Sequence, residues 1–275
     1  MNIRCAGDGY YKTAWAAGGP ISLYIHFPFC VRKCRYCDFL SAPAGEEERQ
    51  RYLDELDREI CSKSAWLGRI LCVGKNREDR AGGSGDHRSV PPRTLPEVDT
   101  IFIGGGTPSL LTPRQMDHLM FMLSSNFLID EDAEITMECN PGTADEEKLR
   151  AFHDCGVNRL SIGVQSFRDE ELRLLGRIHT AQEARDCVGA ARRAGFENIS
   201  IDLMSALPGQ SYEQWMENLS SAVEMEPEHI SAYSLILEEG TPLREDAGKG
   251  LLPALPDEDT DRRMYHDTKT FLAQQ

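Results

Sequence analysis

Three cysteines lie within eight residues, in the segment Cys30-Val-Arg-Lys-Cys34-Arg-Tyr-Cys37. The segment follows an apolar, strand-like run from Ile21 to Phe29. The spacing is Cys-x3-Cys-x2-Cys, with no fourth cysteine directly after it. Three thiolates this close together suit one face of an iron–sulfur cube and leave its fourth iron without a protein ligand. The spacing therefore predicts a cluster whose open iron can bind a small molecule and pass it an electron.

Two other uses of these thiols stay open. His26 could complete a Cys3His zinc site, because zinc prefers four closed ligands of this kind. Against zinc, His26 lies inside the strand-like run, and zinc sites usually take a second pair of ligands from further along the chain. A disulfide would need an oxidising compartment, and nine cysteines form no evenly paired framework.

A glycine-rich segment is the second chemical signal. Gly104-Gly105-Gly106-Thr107-Pro108 follows an apolar strand predicted at Val98–Ile103. Glycines at the carboxyl end of a strand let backbone amides approach a ligand closely. A tight strand-to-helix turn would also explain three glycines. Their position downstream of a cysteine triad favours the ligand-binding loop.

Polar residues also end three later strand candidates, at Glu138, Gln165 and Asp202. In the run Ile199–Met204, Asp202 alternates with aliphatic residues and faces away from them. If the aliphatic side meets the helices, Asp202 points into a barrel, where a polar ligand or a cation such as Arg177 must satisfy it. A helix cap or a structural ion pair is the alternative at each position. Because active sites of such barrels collect at the carboxyl ends of strands, the shared placement favours one site.

Strand-like and helical patterns alternate along the chain. The predicted strands are Ile21–Phe27, Val98–Ile103, Ala133–Cys139, Arg159–Val164, Asn198–Met204 and His229–Leu235. Capping boxes predict four helix starts, at Thr112/Gln115, Thr143/Glu146, Thr180/Glu183 and Ser211/Gln214. Repeated βα units without hairpin signals imply parallel strands joined by right-handed crossovers. We expect an α/β fold, a parallel (β/α)6 partial barrel similar to a TIM barrel, with a doubly wound open sheet as the alternative.

Three segments are expected. Residues 1–20 are rich in Gly and Ala and indicate a loose leader, residues 21–240 the barrel, and residues 241–275 the start of a C-terminal region. The first helix is predicted from about Glu46 to Leu67. Residues 73–96 carry Gly-Gly-Ser-Gly, Pro-Pro and many charges, which indicates a disordered insertion, with a functional lid as the alternative.

Composition argues against several classes of function. The net charge of −15 argues against nucleic acid as a partner, because neutralising phosphates needs clustered Lys and Arg. No apolar stretch approaches the length of a membrane span, and the first twenty residues lack the apolar core of a signal peptide. Retained thiols without an export signal predict a reducing cytoplasm.

Several segments together match one family. They are Tyr24-Ile-His-Phe-Pro with the cysteine triad, Phe102-Ile-Gly-Gly-Gly-Thr-Pro-Ser-Leu, Glu138-Cys-Asn-Pro-Gly, Arg159-Leu-Ser-Ile-Gly-Val-Gln-Ser-Phe, Leu175-Gly-Arg-Ile-His, Ile201-Asp-Leu-Met-Ser-Ala-Leu-Pro-Gly-Gln and Ser231-Ala-Tyr-Ser-Leu. The chain resembles the radical S-adenosylmethionine (SAM) family of oxygen-independent coproporphyrinogen III oxidases and HemW-type haem chaperones. The resemblance runs from residue 21 to the end, apart from the 73–96 insertion, and implies the radical SAM type of partial barrel.

The resemblance implies roles for particular residues. Cys30, Cys34 and Cys37 match the ligands of a [4Fe–4S] cluster whose open iron binds the amino and carboxylate groups of SAM. Further positions match SAM contacts: Tyr24 and Tyr36 near the cluster, Gly105, Gly106 and Thr107 in the loop for the amino-acid end, and Glu138, Gln165, Arg177 and Asp202 at the remaining contacts. No residue is assigned a catalytic role.

Two differences separate the branches of the family. In the oxidases, the reduced cluster cleaves SAM to a 5′-deoxyadenosyl radical, which leads to decarboxylation of porphyrinogen propionates. The oxidase pattern has a fourth cysteine two residues after the third, where this chain has Phe39. The oxidases also have a longer N-terminal extension, whereas only 23 residues precede Tyr24 here. Both differences favour the chaperone branch, whose members bind haem and transfer it to haem-requiring proteins. An oxidase acting on a porphyrinogen is the alternative.

The C-terminal region bears on haem. The chaperone branch has a His-Asn-x-x-Tyr-Trp motif associated with haem, and none of the seven histidines here precedes Asn. The chain ends at Gln275 inside a helix expected from about Asp257, so we expect a truncated C-terminal region that holds haem weakly. The expected cofactors are the [4Fe–4S] cluster and SAM, with haem as cargo. The expected partners are haem-recipient proteins and an electron donor such as flavodoxin or ferredoxin.

Overall fold

The structure, a computed structural model, describes residues 19–78 and 95–275. Within these ranges the strands are β1 (Ile21–Phe27), β2 (Phe29–Cys30), β3 (Ala42–Pro43), β4 (Glu97–Gly105), β5 (Leu128–Cys139), β6 (Arg159–Gln165), β7 (Asn198–Ser205) and β8 (His229–Ser234). The α-helices are α1 (Glu46–Glu78), α2 (Pro113–Asn126), α3 (Glu146–Asp154), α4 (Asp169–Leu175), α5 (Ala181–Arg193), α6 (Tyr212–Val223), α7 (Pro242–Gly248) and α8 (Glu258–Leu272). A 3-10 helix spans Pro108–Leu110. Most of the predicted leader, residues 1–18, lies outside the described residues.

The six longer strands form one sheet in the order β1-β4-β5-β6-β7-β8. Strands β5 to β8 pair in parallel. Each long strand lies beside the next one along the chain, so the order lacks the reversal point that defines a doubly wound sheet. This order agrees with the predicted (β/α)6 partial barrel, and it places β1 and β8 at the two edges of the sheet.

Strand β7 shows how the alternation of residues sets the two faces of the sheet. Ile199, Ile201 and Leu203 are fully buried, as the pattern predicted. Asp202 points the other way and lines a cavity. Along the following helix α6, Trp215 and Leu219 supply the apolar stripe and are almost inaccessible to solvent. The aliphatic side of the strand therefore faces the core, and Asp202 on the other side faces the cavity.

Three of the four predicted capping boxes are present. Thr180 with Glu183 and Ser211 with Gln214 each exchange two hydrogen bonds at the start of a helix. Thr112 and Gln115 do the same before α2. The prediction at Thr143 was wrong, because Asp145 caps α3 by accepting from Lys148 N, while the Thr143 hydroxyl donates to Asn140 O.

The first helix is longer than predicted. Helix α1 continues from Leu67 to Glu78, so the first residues of the predicted 73–96 insertion are helical. The acidic and basic residues of this stretch are compatible with a helix, and the Gly and Pro clusters that break one come only later. Residues 79–94, which hold those clusters, lie outside the described residues. Strand β5 likewise begins earlier than predicted, at Leu128.

The chain divides into two compact units. The first has residues 47–78, 95–101 and 118–133 among its described parts, and buries Leu53, Ile60 and Leu123. Its His118 Nε2 lies 2.6 Å from the Asp57 carboxylate. The second unit has residues 24–46, 102–117 and 134–275 and holds every candidate site residue named above. Within the described residues, no helix is both long and apolar enough to cross a membrane.

Candidate functional site

The three cysteines lie on a short loop at the carboxyl end of β2. Cys30 ends β2, which pairs in parallel with β3 at Ala42–Pro43. This pairing brings the two ends of the intervening loop together. The amide of Cys37 donates to Cys34 O at 3.3 Å, which forms a tight turn between two of the thiols. All three thiols are free and only partly buried. Burial, followed by the nearby Cys34 thiol, raises the pKa of Cys37 above its ordinary value.

The geometry of the loop bears on which metal group it could hold. Among the described residues, no three His, Cys, Asp or Glu side chains converge on a point suited to a single metal ion. A cube does not need such convergence, because each thiolate binds a different iron. His26 has both ring nitrogens engaged, Nδ1 with Tyr24 Oη at 3.2 Å and Nε2 with Leu40 O at 3.0 Å. In this arrangement His26 is not poised to act as a fourth ligand for zinc.

The glycine loop packs against the strand that leads to the cysteines. Gly106 N donates to Phe27 O at 2.8 Å, and Thr107 N donates to Phe29 O at 2.7 Å. A Cβ on Gly106 would lie 2.6 Å from Phe29 O, and Gly105 has a φ of +115°. Glycine is therefore required here for close backbone approach. The amides of Gly106 and Thr107 donate to β1 and β2, and that of Gly105 donates to Glu138. Contact of this loop with a ligand stays a prediction.

Two carboxylates lie beyond the glycine loop. Glu138 Oε2 accepts a hydrogen bond from Gly105 N at 2.9 Å, and burial raises the pKa of Glu138. Asp202 accepts from Ser161 Oγ at 3.0 and 3.2 Å. Burial, aided by the charge of Glu138, raises the pKa of Asp202 to about 6. The direct partner of Asp202 is thus the Ser161 hydroxyl, and Arg177 acts on it only through its charge.

Arg177 connects the cysteine loop to the strand ends. Its Nη2 donates to Asn140 Oδ1 and to Gly163 O, both at 2.6 Å, and its Nη1 lies 3.6 Å from Cys34 Sγ. Its Nε is buried and has no partner. Burial disfavours the charged form, but the neighbouring Tyr36 and Cys34 leave the pKa of Arg177 raised. A fixed cation with a spare N–H therefore stands beside the cysteines.

Gln165 has an unusual backbone conformation. Its φ is +69°, in the left-handed region that disfavours residues with a Cβ, and the pairing of β6 with β7 shifts register between Ile162 and Gln165. Such strain persists where surrounding contacts enforce it, and it is common at functional sites. Tyr233 Oη donates to Gln165 Oε1 at 2.8 Å, and burial raises the pKa of Tyr233 to about 12.

One cavity of about 740 Å³ brings almost all of the predicted residues together. Its lining includes the following predicted positions: Cys30, Cys34, Tyr36, Cys37, Gly105, Gly106, Thr107, Glu138, Gln165, Arg177 and Asp202. The exception is Tyr24, which is 59% exposed and stacks on Phe102 at 6.0 Å between ring centroids. Phe102 itself lines the cavity.

The cavity also contains residues that sequence reasoning missed. Asn140, Ser161 and Tyr233 line it and hold predicted site residues in place through hydrogen bonds. Each lies within one of the segments that carried the family resemblance, and Ser161 alternates with the core residues of β6. That alternation was the available signal for Ser161. For Asn140 and Tyr233 the chain offers no comparable pattern.

The chain is similar in sequence to proteins of known family. The sequence profile of the Radical SAM superfamily matches residues 93–222. The chain is 40% identical over 242 residues to the heme chaperone HemW of Escherichia coli, and 37% identical over 241 residues to that of Haemophilus influenzae. Each alignment covers 87% of this chain and 56% of the relative, so the chain spans little more than half the length of these relatives.

The fold of the chain is similar to that of a solved structure. The coproporphyrinogen III oxidase (HemN) of Escherichia coli, which is a radical SAM enzyme, matches with a TM-score of 0.75 and 28% identity. The match covers 94% of this chain and 54% of that one. The predicted fold class is therefore confirmed. Together with this shared fold, the matching sequence profile shows that the chain contains a radical SAM domain.

Proposed function

We propose that the chain binds a [4Fe–4S] cluster through Cys30, Cys34 and Cys37 and binds SAM in the adjoining cavity. The observation that carries this proposal is that one cavity is lined both by all three thiols and by the charged groups at the strand ends. Three thiols without a fourth protein ligand suit a cube with an open iron. When bound, such a cluster supplies the electron that cleaves SAM.

The polar groups of the cavity complement the chemistry of SAM. Its ammonium group needs acceptors, which the Glu138 carboxylate offers, and its carboxylate needs donors, which Arg177 offers through its unpartnered Nε. The Asp202 carboxylate and the Gln165 amide suit ribose hydroxyls and adenine. Gly105, Gly106 and Thr107 line the cavity together with the three cysteines. Tyr36 lines the cavity next to Cys34 and Cys37, and Tyr24 stacks on Phe102, which forms part of the cavity wall.

We further propose that the protein serves haem trafficking as a haem chaperone of the HemW type. The relatives named heme chaperone support this assignment, and so does Phe39, which stands where the oxidase pattern has a fourth cysteine. Haem would be the cargo, haem-requiring proteins the recipients, and flavodoxin or ferredoxin the electron donor. The cytoplasm is the proposed location, since recipients and donors of this kind work there.

A coproporphyrinogen oxidase-type enzyme is the second candidate. The fold match to the oxidase of Escherichia coli favours it, because 94% of this chain aligns with 54% of that protein at a TM-score of 0.75. In such an enzyme the SAM-derived radical would abstract hydrogen from a propionate side chain. No residue of the cavity is assigned to that step.

One anaerobic experiment separates the two candidates. The reconstituted chain is incubated with dithionite, SAM and coproporphyrinogen III, and in parallel titrated with haem and mixed with a haem-free recipient. Haem transfer without a decarboxylated product supports the chaperone. Decarboxylated porphyrinogen would establish the oxidase instead. Arg192→Ala serves as the control variant. Arg192 donates to Phe196 O and Glu226 O, which precede the starts of β7 and β8, and it does not line the cavity.

A further inference from the structure

Arg35 lies between Cys34 and Cys37, and both its backbone and its side chain make contacts with other segments. Its amide donates to Leu175 O at 3.0 Å, and its carbonyl accepts from Leu243 N at 2.9 Å. Its guanidinium donates to Leu174 O at 3.2 Å and forms an ion pair with Asp246. A single loop residue is thus joined to the end of α4 and to α7, segments far from it in the chain.

The fit around Arg35 is close. Gly176, at the end of α4, has a φ of +73°, and a Cβ there would lie 2.7 Å from Arg35 Cγ. The next residue, Tyr36, packs against the buried cluster formed by Leu175, Met204, Leu207 and Leu243. The cysteine loop is therefore anchored twice, by the apolar packing of Tyr36 and by the ion pair of Arg35 with Asp246. Both anchors involve α4 or α7. The two side chains of the ion pair are each about one-third exposed, 33% for Arg35 and 29% for Asp246.

From these contacts we infer that Arg35 is a positioning residue that fixes the spacing of Cys34 and Cys37 through its ion pair with Asp246. The inference rests on the proposed cluster function. Without the pair, the loop keeps the Tyr36 anchor and the two backbone hydrogen bonds of Arg35, but it loses the ion pair that restrains the side of the loop facing Asp246. The thiols then sample several separations, and a cube whose ligands move exchanges its iron more readily.

The test uses the full chain with Arg35→Ala, Asp246→Asn, the double variant and Arg35→Lys. Arg192→Ala is the matched control, because Arg192 also bridges backbone carbonyls and a carboxylate, at 31% exposure, away from the loop. After anaerobic reconstitution, iron release to a chelator is followed by absorbance. Because the ion pair is about one-third exposed, we expect iron release to be faster by about twofold to fivefold in both single variants. The double variant should add little beyond either one, and Lys should rescue partly.

Hydrogen exchange on the cluster-free proteins provides the second readout. Amides of residues 31–41 should exchange faster in Arg35→Ala and Asp246→Asn than in the parent, while Arg192→Ala leaves them unchanged. Equal exchange and equal iron release in parent and variants would overturn the inference. If the parent takes up no cluster, the proposed function fails, but the exchange data still decide whether the pair fixes the loop. If Arg35→Ala does not fold, Asp246→Asn still tests the inference, because it is nearly isosteric and removes only the charge of the ion pair.

Discussion

Arg177 and Cys34 are 143 residues apart in the chain, yet Nη1 of one lies 3.6 Å from Sγ of the other. The same guanidinium donates to Asn140 Oδ1 and Gly163 O. A cation fixed by two strand ends is thereby held against a thiol of the cysteine loop. Hydrogen bonds and charge at cluster sulfurs tune the reduction potential of iron–sulfur centres.

Replacing Arg177 with Met should therefore lower the reduction potential of the reconstituted cluster, because the positive charge stabilises its reduced form. It should also weaken SAM binding. Two buried acceptors lose their donor, so the free energy of unfolding should fall by about 1–3 kcal/mol. Spectroelectrochemical titration measures the potential. Arg168→Met, which removes an ion pair with Glu217, is the control and should leave it unchanged. An unaltered potential in Arg177→Met would contradict the proposed contact.

The cysteines divide into two groups. Replacing Cys30, Cys34 or Cys37 with Ala should abolish the absorbance of the reconstituted cluster, because two thiolates do not hold the cube. Replacing Cys61, Cys72 or Cys155 should leave the iron content unchanged. Cys187 is buried on α5 and hydrogen-bonds with Cys139, so its replacement should alter stability but not iron content. Iron loss in any of these four variants would refute the assignment.

Asp202 should make stability depend on pH. Its folded pKa of about 6 lies above the ordinary 3.8, so the folded state binds the proton more tightly than the unfolded state. The cofactor-free protein should therefore lose stability as pH rises from about 4 to 6. Asp202→Asn should remove this loss and stabilise the protein at pH 8 by about 1–2 kcal/mol, while weakening SAM binding. Urea unfolding at several pH values measures the effect, and a variant less stable than the parent at pH 8 would contradict it.

Gly106 should not tolerate a side chain. A Cβ would meet the backbone of Phe29 at 2.6 to 2.8 Å, and backbone atoms cannot move aside as a flexible side chain can. Gly106→Ala should destabilise the protein by about 1–3 kcal/mol and reduce cluster loading by displacing β2. Gly45→Ala is the matched control, because nothing lies within 4 Å of its added Cβ. Iron analysis and thermal unfolding of both variants decide the prediction.

The barrel was predictable because it follows from local patterns. Alternation in Ile199–Met204 gave the two faces of β7, and capping boxes such as Thr180 with Glu183 gave helix starts. Where two capping candidates lie close together, as Thr143 and Asp145 do, sequence spacing alone does not decide which is used. Asp145 is placed to accept from Lys148 N, while the Thr143 hydroxyl is taken up by Asn140 O and Ser109.

The candidate site was predictable in its residues but not in its contacts. The strand-end positions of Glu138 and Asp202 indicated a shared site, and the structure places both on one cavity. That Ser161 satisfies Asp202 depends on the register of β6 against β7, which pairs Ser161 with Ser200. The ion pair of Arg35 and Asp246 joins residues 211 positions apart, beyond the reach of any local pattern. Contacts of this kind arise from the packing of segments that only the folded chain brings together.

Anaerobic reconstitution of the chain with iron and sulfide, followed by electron paramagnetic resonance of the dithionite-reduced protein with and without SAM, tests the central proposal most directly. We expect about four irons per chain and a [4Fe–4S] signal whose shape changes when SAM binds the open iron. In the Asp202→Asn protein the same signal should form but respond less to SAM. A chain that takes up zinc in place of the cluster, or a cluster signal indifferent to SAM, would contradict the account.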